Sequence, residues 1–153
     1  MKHAPSGKVI RVSISEEKGV PKTNVPEVHL VEEWGVEGDA HAGFWHRQVS
    51  LLAAESIEKM REKGLEVGPG DFAENITTEG MDLVGLPVGT RLRVGSEVIL
   101  EVSQIGKECH TGCAIFKQVG SCIMPKEGIF AKVVKGGKVR PGDPIWVLEQ
   151  GQE

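Results

Sequence analysis

The sequence contains no apolar run approaching the roughly 20 residues that a membrane-spanning helix needs, so no span and no membrane partner are expected. Nor does an apolar stretch follow Met1-Lys2-His3-Ala4-Pro5, so no signal peptide is expected and the chain reads as cytoplasmic. Cysteine is scarce: there are three, an odd number, which with no secretion signal argues against a disulfide scaffold. Aromatic residues make up only 5% and do not interleave with a basic stripe, which counts against nucleic acid as a partner. The serine nucleophile elbow, the phosphate loop and the dinucleotide fingerprint are all missing. Internal repeats and linkers are missing too, so residues 1–153 read as one domain.

Glycine and proline, by contrast, are dense, at 20 and 8 residues. They punctuate short runs rich in β-branched residues, which predict strands over Lys8–Ser15, Pro26–Val31, Gln48–Ala53, Glu74–Thr78, Thr90–Val94, Glu97–Gln104, Ile129–Lys135 and Pro144–Glu149. Strands this short, so regularly interrupted, indicate a sandwich or a barrel. Val94-Gly95-Ser96-Glu97 reads as a tight hairpin turn and Gly136-Gly137 as another turn. One helix is expected over Ala54–Lys63, with Ile57 and Met60 on one face and a Glu55–Lys59 pair at i,i+4, ended by Gly64. A second, weaker helix is expected over Gly112–Val119.

Charge is unevenly spread. The net charge is −4, yet residues 104–140 hold seven Lys/Arg against two acids. Such a basic segment suggests a local site for a small anion, or simply a solvated face. Cys109 lies within it, in Gly106-Lys107-Glu108-Cys109-His110. A thiol acts as thiolate, and the cationic Lys107 nearby favours that form. The segment also has Cys113 and Cys122, so Cys109, His110, Cys113 and Cys122 make a conceivable four-ligand metal set. A buried structural thiol is the plainer reading of Cys109.

Two further constellations stand out. In Gly35–Gly43, followed by His46-Arg47, Asp39 can orient a histidine or take its N–H while His41, His46 and Arg47 meet an anionic substrate. The same residues are compatible with a self-bonded turn. In Gly68–Thr77, a Gly/Pro turn delivers Glu74 and Asn75 to the start of a strand. There they can read a heterocycle such as a pterin or simply cap the turn.

In their order these segments resemble the MOSC domain, named for the C-terminal part of molybdenum-cofactor sulfurases. The stretches that carry the resemblance are Gly35–Gly43 with His41, Gln48-Val49-Ser50-Leu51, Pro69–Thr77 with Glu74-Asn75, Val88-Gly89-Thr90-Arg91-Leu92 through Leu100, Cys109, and Gly128-Ile129-Phe130-Ala131 leading to Pro141-Gly142-Asp143. The resemblance implies a mainly β fold, a compact closed β-barrel of about seven strands with one or two helices. It implies handling of the molybdenum cofactor (molybdopterin) or of its sulfur. Cys109 falls on the family's hallmark cysteine, to bear a persulfide or ligate molybdenum. The basic segment, Lys107 included, would meet the pterin phosphate, and Asp39, His41, His46, Arg47, Glu74 and Asn75 are the expected site-lining residues.

Full sulfurases also carry a pyridoxal-phosphate domain, and no pyridoxal-phosphate site is recognised in these 153 residues. The implied partners are therefore a cysteine desulfurase or a molybdoenzyme. Three functions follow: a cofactor or sulfur carrier acting through Cys109, a cofactor-loaded reductase of N-hydroxylated compounds with His41 or His46 as proton donor, and a Cys/His metal module. In the first two, Cys113 and Cys122 are extra thiols able to resolve a persulfide as a disulfide.

Overall fold

A computed structural model of the protein describes residues 5–17, 20–106 and 127–149. Cys109, His110, Cys113, Cys122 and Lys107, together with the second expected helix, lie outside the described residues. The remaining architecture is a closed barrel of seven strands. Its members are β1 (Gly7–Ile14), β5 (Val49–Ala53), β6 (Ile76–Glu79), β7 (Arg91–Val94), β8 (Val98–Ile105), β9 (Ile129–Lys135) and β11 (Pro144–Glu149). Round the barrel the order is β11-β7-β8-β9-β5-β6-β1, and β1 closes the circle on β11 through Gly7↔Ile145 and Lys8↔Pro144. A short strand, β2 (Thr23–Val25), extends β1 as a hairpin. A three-stranded sheet of β10 (Gly137–Val139), β3 (Val28–Val31) and β4 (Gly35–Val36) stands beside it.

The barrel follows from alternation. In β8, Ile99, Glu101 and Ser103 are only partly buried and alternate with the buried Val98, Leu100 and Val102, the period of a strand with one face on a core. These residues join Val9, Val12, Leu51, Ile76, Leu92, Ile129, Ala131, Val133 and Ile145 in one apolar cluster. β5 is buried throughout because both its faces are covered. Its Leu51 packs with the main cluster and its Leu52 with a second one of Ile57, Met60, Val67, Phe72, Ala73 and Phe130. That second cluster seats the single described helix, α1 (Ala54–Glu62). β5 and β6 run parallel, which no tight turn allows, so α1 and the following loop form the crossover.

The hairpin at Gly95 forms as expected, with Val94 paired to Val98 and Gly95 in the left-handed region at φ 68°. Three short strands were not expected. Gly137 is not a turn residue but the start of β10, pairing with Leu30. The i,i+4 pair on α1 also gives way to longer-range partners: Lys59 Nζ donates to Glu127 Oε2 at 2.6 Å and Glu55 Oε2 accepts from Gly80 N at 2.9 Å. No helix among the described residues is long and apolar enough to cross a membrane.

Candidate functional site

The β1–β2 hairpin and the loop after β4 build the first part of the site. Pairing Ile14 with Thr23 leaves Ser15 and Lys22 facing each other where the hairpin opens. Asp39 enters between them: Oδ1 accepts from Ser15 N at 3.0 Å and from Lys22 Nζ at 2.8 Å, and Oδ2 accepts from His41 N at 3.0 Å. The Lys22 and Asp39 side chains are both 0% exposed. Lys22 Nζ is also 3.2 Å from His41 Nδ1. Burial by itself raises the Asp39 carboxyl, but the hydrogen bonds from His41 and Lys22 and the lysine charge outweigh it and hold the group well below the usual carboxylate range. Asp39 Oδ2 takes the backbone N–H of His41 and also lies 3.7 Å from its Nδ1, which is nearer to Lys22 Nζ. The His41 side chain is 12% exposed and lies parallel to Trp45, whose Nε1 donates to His41 O at 2.8 Å.

His46 and Arg47 meet farther along the same loop. Gln104, near the end of β8, joins them: its Oε1 lies 2.7 Å from His46 Nε2 and accepts from Arg47 Nε at 3.0 Å. The Arg47 guanidinium lies 5.8 Å from the Trp45 ring centroid and 5.3 Å from that of Phe130. Gln104 Nε2 donates to Gly106 O at 2.7 Å, and Gly106 N donates to Gly128 O at 2.7 Å. The chain thus leaves for Lys107 and Cys109, and returns at Glu127, through two stems held together. The departing stem is tied to His46 and Arg47; in the returning one, Glu127 takes Ser56 Oγ at 2.5 Å as well as Lys59.

Glu74 and Asn75 occupy a different environment. Both are 0% exposed. Asn75 Oδ1 accepts from Ser50 N at 3.0 Å, and its Nδ2 donates to Ser13 O at 3.1 Å, so the amide braces β1 against β5. Glu74 Oε2 accepts from Gly70 N and Thr77 Oγ1, each at 2.7 Å, while Oε1 has no partner among the described residues. Burial pushes this carboxyl up to about 7, only partly offset by the Gly70 and Thr77 bonds. Ala73, just before it, holds a left-handed φ of 69°, a conformation that costs of order 1 kcal/mol or more and marks a tightly determined loop.

Lys22 links the two constellations. Its backbone N–H donates to Gly70 O at 2.7 Å, and Gly70 N in turn serves Glu74. Gly70 has φ 93°, and a Cβ there would collide with the Lys22 carbonyl oxygen, so the approach requires glycine. Sequence reasoning missed Lys22. A lysine after a proline in a polar stretch has no local signal for burial, and only the hairpin register and Asp39 make it inevitable.

The described part of the basic segment leads away from the stems. β9 runs from Ile129, opposite Ile105, to Lys135, opposite Ile99. Six residues of strand, about 20 Å, therefore separate Lys135 from the Gly106–Gly128 stems. Lys138 and Arg140 instead line a cleft of about 570 Å³ with Arg93 and Trp146 near the Gly95 turn. Among the described residues no three His, Cys, Asp or Glu side chains converge as a metal site.

The MOSC domain model matches residues 38–146, which include the Asp39–Arg47 loop, the Glu74–Asn75 turn and the barrel strands from β5 to the start of β11. The chain belongs to the MOSC domain family. That family is associated with molybdenum-cofactor binding or sulfurase-like function. The MOSC barrel resembles the YuaD protein from Bacillus subtilis, with a TM-score of 0.77 and 20% identity over 91% of this chain and 93% of that one. It also resembles YiiM from Geobacillus stearothermophilus (TM-score 0.71, 21% identity, 94% of this chain and 75% of that one) and YiiM from Escherichia coli (0.67, 22%, 99% and 73%). At these identities the likeness is one of fold. No curated protein matches the chain.

Proposed function

We propose that this MOSC domain binds the molybdenum cofactor, or sulfur destined for it, through Cys109, and serves as a carrier or accessory protein in cofactor sulfuration. The observation that supports this most is the pinning of both stems of the cysteine-bearing segment beside His46 and Arg47. Cys109 is three residues from Gly106, so their Cα atoms are at most about 11 Å apart in any conformation. The residues present fit a phosphate-bearing pterin. Among the described residues Arg47 hydrogen-bonds only through Nε, to Gln104, which leaves its other N–H groups suited to an anion, a partner that a guanidinium binds well. His46 and Lys107 would add further donors. Glu74 and Asn75, buried and bonded to their neighbours, serve in this reading by bracing the loop behind Lys22.

Soft thiolate sulfur suits molybdenum or a sulfane sulfur. In the sulfur-carrier form, a cysteine desulfurase presents a persulfide. The Cys109 thiolate attacks its terminal sulfur, a new S–S bond forms at Cys109, and the donor's thiolate leaves. A bound molybdenum cofactor would supply redox chemistry. A second reading, reduction of N-hydroxylated compounds, draws support from His41, whose held and partly exposed ring is suited to deliver a hydrogen bond or proton.

Native mass spectrometry of protein purified without reductant from a cofactor-making host tests the proposal. A pterin–molybdenum species or one added sulfur is expected, lost in Cys109→Ser and diminished in Arg47→Gln. Retention of the adduct by Cys109→Ser would overturn it. Cofactor-dependent consumption of an electron donor separates reductase from carrier.

A further inference from the structure

The placement of Lys22 constrains His41 more tightly than its distances alone suggest. An ammonium has three donors and no acceptor. One is directed at Asp39 Oδ1, at 2.8 Å, and Nζ stands 3.2 Å from His41 Nδ1. Asp39 takes backbone N–H groups from Ser15 and His41 as well, the setting of an ionised carboxylate with a charged lysine beside it. Nδ1 has two polar neighbours, Lys22 Nζ at 3.2 Å and Asp39 Oδ2 at 3.7 Å, and only the first is within hydrogen-bond length. Toward a charged Lys22, Nδ1 acts as acceptor, and a neutral imidazole then carries its proton on Nε2. The parallel Trp45 ring, at an interplanar angle of 1°, and the bonds to His41 N and O hold the ring and its backbone. Nε2 has no partner among the described residues, and the side chain reaches solvent at 12%.

We infer that Lys22 is a positioning residue that fixes His41 as the Nε2–H tautomer, so that this site offers its ligand a hydrogen-bond donor and accepts an oxyanion or oxo group rather than a metal cation at His41. A metal-bound histidine needs a lone pair on the ligating nitrogen and typically donates its other N–H to an acceptor. Here a donor occupies the far side. For Nε2 to ligate a cation, its proton would have to move to Nδ1, which the Lys22 ammonium faces at 3.2 Å while Asp39 Oδ2 stands farther off at 3.7 Å. The tautomer rests on geometry alone. Only the identification of the ligand as a molybdenum species rests on the function proposed above.

Long-range ¹H–¹⁵N correlation on the full ¹⁵N-labelled chain at pH 8 reads the tautomer directly, with His41→Gln used to assign the resonances. The Nε2–H pattern is expected for His41 in the native chain and equally in Cys109→Ser, even though that variant loses its adduct. Failure of the cofactor reading would thus leave this result intact. Lys22→Met should convert the pattern to Nδ1–H or a mixture. Should that variant not fold, Lys22→Met/Asp39→Asn removes both buried charges and gives the same readout. Inorganic molybdate, added as the oxyanion probe, should shift Nε2 with its proton retained, and equimolar zinc should not. An Nδ1–H pattern in the native chain, an unchanged pattern without Lys22, no response to molybdate, or zinc displacing the Nε2 proton would each overturn the inference.

Discussion

Asp39 and Glu74 are two buried carboxylates, joined through Lys22 and Gly70, with opposite electrostatic fates. Asp39 has a lysine at 2.8 Å and N–H donors on both oxygens, and its carboxyl is driven down. Glu74 has a backbone N–H and a hydroxyl on one oxygen and, among the described residues, no partner on the other, and it rises to about 7. Burial acts on both in the same direction; the cation decides the outcome. Burial therefore does not by itself mark a functional acid, since the full set of partners has to be counted. The contrast also assigns different work to the two motifs. The Asp39 corner holds an ion pair beside a partly exposed imidazole, whereas Glu74 and Asn75 are fully buried and bonded to Gly70, Thr77, Ser50 and Ser13.

The largest test breaks the contrast at Lys22. Lys22→Met leaves Asp39 buried without its cation, and removing one partner of a buried pair costs about 3–5 kcal/mol. Urea unfolding should show that loss, with much of it recovered in Lys22→Met/Asp39→Asn. The Asp39 carboxyl in the single variant should climb toward the behaviour of Glu74 in an NMR titration. A loss under about 1 kcal/mol would mean that the pair contributes no more than a surface bridge.

Glu74→Gln probes the other side. The folded carboxyl sits above its ordinary 4.5, at about 7, so the native chain holds a proton that the unfolded chain releases across that interval. Stability therefore falls as pH rises from about 4.5 to about 7 and is level beyond, an effect on the order of 3 kcal/mol. Glu74→Gln should flatten this slope. A slope unchanged in the variant would show that Glu74 does not titrate there. Asp39 contributes the opposite sign: its stabilisation is present above the ordinary carboxylate range and is lost as pH falls through its depressed folded value.

Asn75→Ala should cost about 1–3 kcal/mol, because Ser50 N and Ser13 O are left unpartnered in the interior. Thermal unfolding measures it, and a neutral result would show that the Asn75 amide does not hold β1 against β5. The smallest effect belongs to Lys59→Met. Lys59 is 58% exposed, so its bond to Glu127 contributes under about 1 kcal/mol. Chemical denaturation in low and high salt should show a small loss that high salt erases.

The long strands were legible in the chain because alternation over several residues leaves a signature. β1, β8 and β9 appear within one or two residues of their expected bounds, and so does α1. β2, β4 and β10 were not legible, since strands of two or three residues are defined by their neighbours rather than by their own pattern. The strand expected from Glu74 begins only at Ile76, because Glu74 and Asn75 direct their hydrogen bonds across to other segments. At the site, the sequence pointed to Asp39, His41, His46 and Arg47 as chemistry-bearing, but not to Lys22 or Gln104, which organise them. It also read residues 104–140 as one basic region, and an extended strand carries its later charges about 20 Å from its start.

The sequence by itself determined the mainly β class, the barrel's principal strands, the family and the polar residues worth watching, because periodicity and motif order are local properties. Only the tertiary structure decided that Lys22 stands between Asp39 and His41, that Gln104 joins His46 to Arg47, and that burial dominates at Glu74. Those outcomes depend on which distant segments barrel closure brings together, and the free energy of a buried charge is set by neighbours within a few ångströms, wherever they lie in the chain.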